Sequence, residues 1–284
     1  MSGSGGDFLV RMAAASQGRL AQARARLAEA DLRRRVAALP SPPAPRFDAA
    51  AFHLIAEVKR RSPSVGQLAG ASLSPVEQAR LYAGAGALVV SVLTEPEEFA
   101  GSLADLEAVT AALPALPVMR KDFLVDGYQV LEARAAGAAG VLLIAAMLEP
   151  RQLEAMLACA LGLGMFVLVE VFGQEDLARC QPAVLAASRT PAGAGRVLLG
   201  VNCRDLRTLQ VDFSRFAALA PQLPRALPWV AESGIGTPAQ AAEVAALGYR
   251  LALVGTALMR SGDVPGSAAA LLAAGRAALR SAAG

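Results

Sequence analysis

The sequence predicts an α/β chain: a (β/α)8 barrel, the TIM-barrel architecture, with a helical extension before its first strand. Three observations carry this. Apolar runs and helix-like segments alternate eight times, one unit roughly every 25–30 residues, which is the size and order of such a barrel. The runs are continuous rather than alternating, as parallel strands covered on both faces require. Almost every run ends on a polar residue or a glycine. The rival is an open doubly wound sheet. That fold would more often carry a GxGxxG or P-loop turn after its first strand, and neither is present.

The elements follow in order. Residues 8–39 have helical composition, with Leu20, Ala23, Leu27, Leu32 and Val36 as a helix-spaced apolar stripe. Pro40-Ser41-Pro42-Pro43-Ala44-Pro45 stops that segment and reads as a stiff linker. The chain therefore divides into an extension, 1–49, and a barrel, 50–284. Strands are predicted at 53–59, 87–93, 117–120, 140–144, 165–171, 196–201, 228–231 and 250–254. Ser74-Pro75-Val76-Glu77 and Thr237-Pro238-Ala239-Gln240 each supply a capping residue, Pro at the first helical position and Glu or Gln at the third, so each opens a helix. Ser102 opens another. Further helices are predicted over 127–136, 149–163, from 174, after Asp212, and over about 265–281.

Composition narrows the chemistry. With 55% hydrophobic and 18% charged residues, the 284-residue chain is able to bury a large core. No apolar run approaches the roughly 18 residues of a membrane span, and the first residues lack the pattern of a signal peptide. The three cysteines, Cys159, Cys180 and Cys203, have no CxxC or Cys/His spacing. A reduced, cytoplasmic protein without structural metal is the expectation. The single histidine, His53, begins its strand rather than ending it, so any acid–base work falls to Lys, Glu, Asp and Arg. Seven arginines face three acids in residues 1–40. No aromatics interleave with them, so a solvated helix face is expected rather than a nucleic-acid surface.

Barrel active sites form at the C-terminal strand ends. Those ends here carry Glu57 and Lys59, Ser91, Lys121, Glu170, Asn202 and Arg204, Glu232 and Ser233, then Gly255 and Thr256. Glu57 and Lys59 are two apart, hence on one face of a strand. Alone they read as a salt bridge at the rim; repeated at strand after strand, such groups read as a site. Ser233-Gly234-Ile235-Gly236 and Gly255-Thr256 suggest a phosphate cradle, with a short helix N-terminus and Arg204 adding positive charge. The two lysines among glutamates can serve as general acid and base without histidine. Either lysine is also a candidate Schiff-base nucleophile.

With these residues assembled, the chain resembles the indole-3-glycerol phosphate synthase family over about residues 50–260. The matching stretches are Ala56-Glu57-Val58-Lys59 with Ser62-Pro63-Ser64, Ser91-Val92-Leu93-Thr94-Glu95, Arg120-Lys121-Asp122-Phe123, Val169-Glu170-Val171, Gly200-Val201-Asn202, Ala231-Glu232-Ser233-Gly234-Ile235 and Val254-Gly255. The resemblance implies a carboxy-lyase of tryptophan biosynthesis that needs no cofactor and no metal. Its substrate would be 1-(2-carboxyphenylamino)-1-deoxyribulose 5-phosphate. By motif position, Lys121 resembles the acid of ring closure, and Lys59 would pair with the substrate carboxylate and be a candidate acid in dehydration. Glu170 and Glu57 would move protons, while Asn202 and Glu232 would orient the substrate and the acid. Ser62, Arg204, Ser233, Gly234, Gly255 and Thr256 would hold the phosphate. Ser91 would contact the substrate, and Phe99 and Phe123 would sandwich its aromatic ring. The chain departs from the family pattern at Cys203 and Thr256.

The resemblance implies a small phosphorylated partner, a monomer or homodimer, and association with other tryptophan-pathway enzymes, with neither nucleic acid nor membrane. A phosphoribosylanthranilate isomerase is the nearest rival, but Cys203 is not at the end of the first strand, where its acid–base cysteine would stand. A barrel that only binds a sugar phosphate is the rival of another class.

Overall fold

Eight parallel strands close on themselves in the computed structural model of the chain, which describes residues 6–48, 50–62, 66–67, 73–206 and 210–283. They are β1 His53–Val58, β2 Val89–Leu93, β3 Val118–Lys121, β4 Gly140–Ile144, β5 Phe166–Val171, β6 Val197–Asn202, β7 Trp229–Glu232 and β8 Leu251–Val254. Each pairs with its neighbours in sequence, and β8 returns to β1 with His53 opposite Leu251. β4 falls where it is predicted, and the other strands differ from their predicted bounds by at most two residues at either end. Lys59 falls just beyond β1, and Lys121 is the last residue of β3.

The helices are α1 Gly6–Arg26, α2 Glu29–Ala37, α3 Pro75–Gly84, α4 Leu103–Ala112, α5 Gly127–Ala135, α6 Pro150–Gly162, α7 Gln174–Ser188, α8 Arg215–Leu219, α9 Pro238–Ala246, α10 Thr256–Arg260 and α11 Val264–Ala283. The capping boxes read at Ser74 and Thr237 both form. The helix expected after Asp212 is short. α8 passes into a 3-10 turn at Ala220–Gln222, where Pro221 cannot continue an α-helix. α10 is short and begins directly after Gly255.

Strand residues alternate between two cores, which is why the runs are apolar throughout. Leu54, Ala56, Val90, Val141 and Val167 face outward into the layer shared with the helices. Ile55, Val89, Met119, Leu142, Leu168, Leu198 and Val230 fill the barrel interior. A third, small cluster joins the extension to the barrel: Leu32 and Val36 of α2 bury against Tyr128 and Leu131 of α5. The Tyr128 hydroxyl donates to the carbonyls of Ala23 and Leu27, at 3.1 and 2.8 Å. Ala23 lies in the last turn of α1 and Leu27 directly follows it, so the hydroxyl ties the end of that helix to α5. The expected apolar stripe is thus cut in two at Ala28. Several N-terminal arginines find acids within the chain: Arg24 with Asp126, Arg33 with Glu29 and Arg34 with Asp31.

Candidate active site

Period two along a strand determines what reaches the barrel mouth. The interior positions two residues beyond the apolar Ile55, Val89, Met119, Leu168 and Val230 are Glu57, Ser91, Lys121, Glu170 and Glu232. Asn202 is two beyond Gly200 on β6. One apolar layer therefore carries one polar layer above it. That layer opens into a cavity of about 360 Å³, within the range that holds a small ligand.

Lys121 stands at the centre. Its Nζ donates to Glu170 Oε2 at 3.0 Å and lies 3.5 Å from Glu232 Oε2. Burial acts to lower its pKa, but the charges of Glu170, Glu232 and Glu57 outweigh that effect and hold it above the usual lysine range. Magnitudes make this reasonable. Desolvation of a buried lysine shifts it by up to about 5 units, near 7 kcal/mol. One unit-charge pair at 3 Å contributes about 5 kcal/mol at an effective dielectric of about 20, and Lys121 has more than one carboxylate.

The carboxylates divide. Burial and the nearby Glu170 push Glu232 well above the ordinary range, with Lys121 only partly opposing. Neither Glu232 oxygen has a hydrogen-bond partner among the described residues. Glu57 is pushed up by burial, yet the Lys59 and Lys121 charges win and hold it below the usual value. Lys59 Nζ donates to Glu57 Oε1 at 2.6 Å. The site thus holds two ammonium groups and carboxyl groups of opposed proton affinity, which is what acid–base work without histidine needs. Gly200 makes room for it: a Cβ there would fall 2.0 Å from Glu232 Oε1.

One end of the cavity is made by the turns after β7 and β8. Ser233 and Gly234 are both left-handed, at φ 67° and 69°. Gly234 is also required by space, since a Cβ would meet Cys203 Sγ at 2.8 Å. Cys203 is buried beneath this turn, and its thiol is pushed up to about 11, first by burial. It supports the turn rather than lining the cavity. Gly255 and Thr256 follow the adjacent strand β8, where α10 begins, and Arg204 follows β6 with its N–H on Asn202 Oδ1 at 2.9 Å. A Cβ at Gly255 would lie 2.6 Å from Glu57 Oε1. Exposed backbone N–H groups and a guanidinium suit an anion.

The other end is aromatic. Phe99 and Phe123 lie 6.3 Å apart, centroid to centroid, with Phe8 of α1 edge-on to Phe123 at 5.9 Å. The expectation that Phe99 and Phe123 sandwich a ring is corrected by this spacing. The two are in contact with each other, so they form one wall, not the two sides of a slot.

Most of the expected residues are brought to the cavity: Lys121, Lys59, Glu57, Asn202, Glu232, Arg204, Ser233, Gly234, Gly255, Thr256, Phe99 and Phe123 all line it. Glu170 sits behind Lys121 and reaches the cavity through it. Ser91 is fully buried, in register with Glu57, its hydroxyl without a hydrogen-bond partner among the described residues, and does not line the cavity. The Ser62 side chain, Pro63 and Ser64 lie outside the described residues. Phe8, Asp122 and Arg260 also line the cavity and were missed. The charged triplet Arg120-Lys121-Asp122 at a strand end was a signal for Asp122. Nothing local marked Phe8. Among the described residues, no group of three His, Cys, Asp or Glu side chains is arranged to hold a metal.

Comparison with known proteins accords with this geometry. A family model described as indole-3-glycerol phosphate synthase matches residues 9–271. The chain is similar to the indole-3-glycerol phosphate synthase of a Nocardioides species, 46% identical over 248 residues, covering 87% of this chain and 88% of the relative. It is 47% identical to that of Micrococcus luteus over 243 residues, covering 83% and 86%. Among solved structures, 3-hexulose-6-phosphate synthase from Salmonella typhimurium aligns over 81% of this chain and all of its own, with TM-score 0.59 and 16% identity. That likeness is one of fold.

Proposed function

The chain belongs to the indole-3-glycerol phosphate synthase family, and we propose how its strand-end residues divide that family's reaction. The enzyme is a carboxy-lyase of tryptophan biosynthesis. It converts 1-(2-carboxyphenylamino)-1-deoxyribulose 5-phosphate to indole-3-glycerol phosphate, CO2 and water.

The phosphate lies against Ser233, Gly234, Gly255 and Thr256 with Arg204. The aromatic ring lies against the Phe99–Phe123 wall. Between them the ring carbon bearing the carboxylate attacks the C2 carbonyl. A C–C bond forms, and Lys121 delivers a proton to the carbonyl oxygen as negative charge develops there. The carboxylate faces Lys59 until CO2 departs, its bonding pair restoring the aromatic ring. The nitrogen lone pair then expels the hydroxyl as water, with a proton from Lys59. Glu57 takes the proton from the carbon beside the iminium. Glu170 returns a proton to Lys121, and Glu232 and Asn202 hold the acid and the hydroxyls in place. Ser91 supports this layer from below. One proton is consumed per turnover.

The observation that carries this reading is the Lys121 ammonium, held at 3.0 Å by a buried carboxylate and open to a cavity lined by the glycine turns after β7 and β8 and by the Phe99–Phe123 wall. We further read residues 1–49 as an extension docked on a barrel of residues 50–284. We place the enzyme in the cytoplasm, supported by three free cysteines and by the lack, among the described residues, of any helix able to cross a membrane. A monomer or homodimer associated with other enzymes of the pathway fits this reading.

The test is direct. Wild-type protein incubated with the carboxyphenylamino deoxyribulose phosphate gives a fluorescent indole product at a rate EDTA does not change. Tight substrate binding without product would replace the reading with a barrel that only binds a sugar phosphate.

A further inference from the structure

We propose that Arg19 of α1 is a positioning residue of the active site, tying the loop that presents Phe99 to the end of β3 that presents Lys121. The proposal rests on the reading of Lys121 and the aromatic wall given above.

Arg19 reaches the barrel mouth from 103 residues away in sequence. Its Nη2 donates to Asp122 Oδ1 at 2.9 Å, and its Nη1 faces Glu95 Oε1 at 3.5 Å. Both carboxylates are fully buried. Each has a structural task beside the cavity. Glu95 accepts the backbone N–H groups of Glu97, Glu98 and Phe99, at 2.8, 2.7 and 3.2 Å, and so shapes the turn that aims Phe99. Asp122 directly follows Lys121. It accepts from its neighbour Phe123 N–H, from Thr94 Oγ1 and from Arg120. One guanidinium fork therefore bridges the end of β2 and the end of β3.

The two carboxylates are not equally protected. Asp122 keeps Arg120 if Arg19 is lost. Among the described residues, Arg19 is the only basic side chain paired with Glu95. A buried carboxylate stripped of its cation rearranges or takes up a proton, and here the turn bearing Phe99 moves with it. The surrounding contacts hold α1 where Arg19 can act. Ser16 accepts from Gln129 Nε2 at 2.8 Å, and Gln129 Oε1 in turn accepts the Val125 N–H of the Lys121 loop at 2.8 Å. Phe8, on the same helix, rests edge-on against Phe123.

The bridge lies at the aromatic and acid end, away from the glycine turns after β7 and β8. Its loss should affect substrate and spare a free anion. Arg19→Gln, Arg19→Lys and wild type are compared by turnover and by calorimetric titration. The two probes are a substrate analogue with its ribulose carbonyl reduced to the alcohol, and inorganic phosphate. In Arg19→Gln, kcat/KM falls at least tenfold through both kcat and KM. The reduced analogue binds at least fivefold more weakly, and inorganic phosphate binds as in wild type. Arg19→Lys recovers part of the loss, since a point charge reaches one carboxylate but does not fork. Unchanged turnover and analogue affinity would overturn the proposal. Equal weakening of analogue and phosphate, with a lower Tm, would overturn it in favour of a role in folding alone. If Arg19→Gln does not fold, Glu95→Gln reads the same bridge from its other side. A wild type that makes no product while Arg19→Gln still loses the analogue would sink the reaction assignment and leave the bridge standing.

Discussion

Lys121 and Glu232 occupy one buried site with opposite consequences for pH. Lys121 stays charged because its carboxylates outweigh burial. Glu232 gains proton affinity because burial and Glu170 outweigh Lys121. The sign of the stability effect follows. A carboxyl whose folded pKa is raised holds its proton more tightly in the fold than in the unfolded chain, so stability falls as pH climbs above the ordinary value of 4.5. Glutamine carries no such penalty. Urea unfolding of Glu232→Gln beside wild type at pH 4 and pH 8 should show the difference growing in the variant's favour toward pH 8. A difference independent of pH would mean that Glu232 is ionised like an exposed acid.

At the scale of elements, the alternation along each strand explains both what the sequence made legible and what it hid. Continuous apolar runs marked the strands, and the polar residue two beyond an interior apolar one marked the site; Met119 with Lys121 and Val230 with Glu232 are examples. Boundaries were less legible because a strand ends where its ladder ends, not where apolarity ends. Lys59 left β1 and Lys121 joined β3 for that reason. Phe8 and Arg19 were hidden because their importance comes from contacts across about a hundred residues. The reach of Phe99 and Phe123 was read as a slot because residue type gives no ring spacing. Small residues within strands are also structural choices. Gly200→Ala places a methyl 2.0 Å from Glu232 Oε1, the movable end of a side chain. The fold should survive, and kcat should drop roughly tenfold or more as Glu232 is pushed off Lys121, since small misplacements of a reacting constellation cost about that much. A fully active Gly200→Ala would show that the Glu232–Lys121 geometry is not needed.

The whole molecule is a barrel whose mouth is partly built by what precedes it. The extension contributes Phe8 to the cavity, Arg19 to the loops beside Lys121, and the α1 and α2 face that covers Tyr128 and Leu131. Apolar burial of this kind couples unfolding of the two parts. By hydrogen exchange, the slowest amides of α1 should open together with those of β5 in one global event. Exchange of α1 faster by orders of magnitude would make the extension a loosely held arm. The central claim, that Lys121 acts as the acid of ring closure, is tested most directly by Lys121→Met, measuring turnover and affinity for the reduced substrate analogue on one preparation. The account predicts kcat lower by about a thousandfold, the scale of a lost acid aimed at a developing oxyanion, with analogue affinity changed less than tenfold. Affinity lost in step with turnover would make Lys121 a binding residue, and turnover kept would assign the acid to another group.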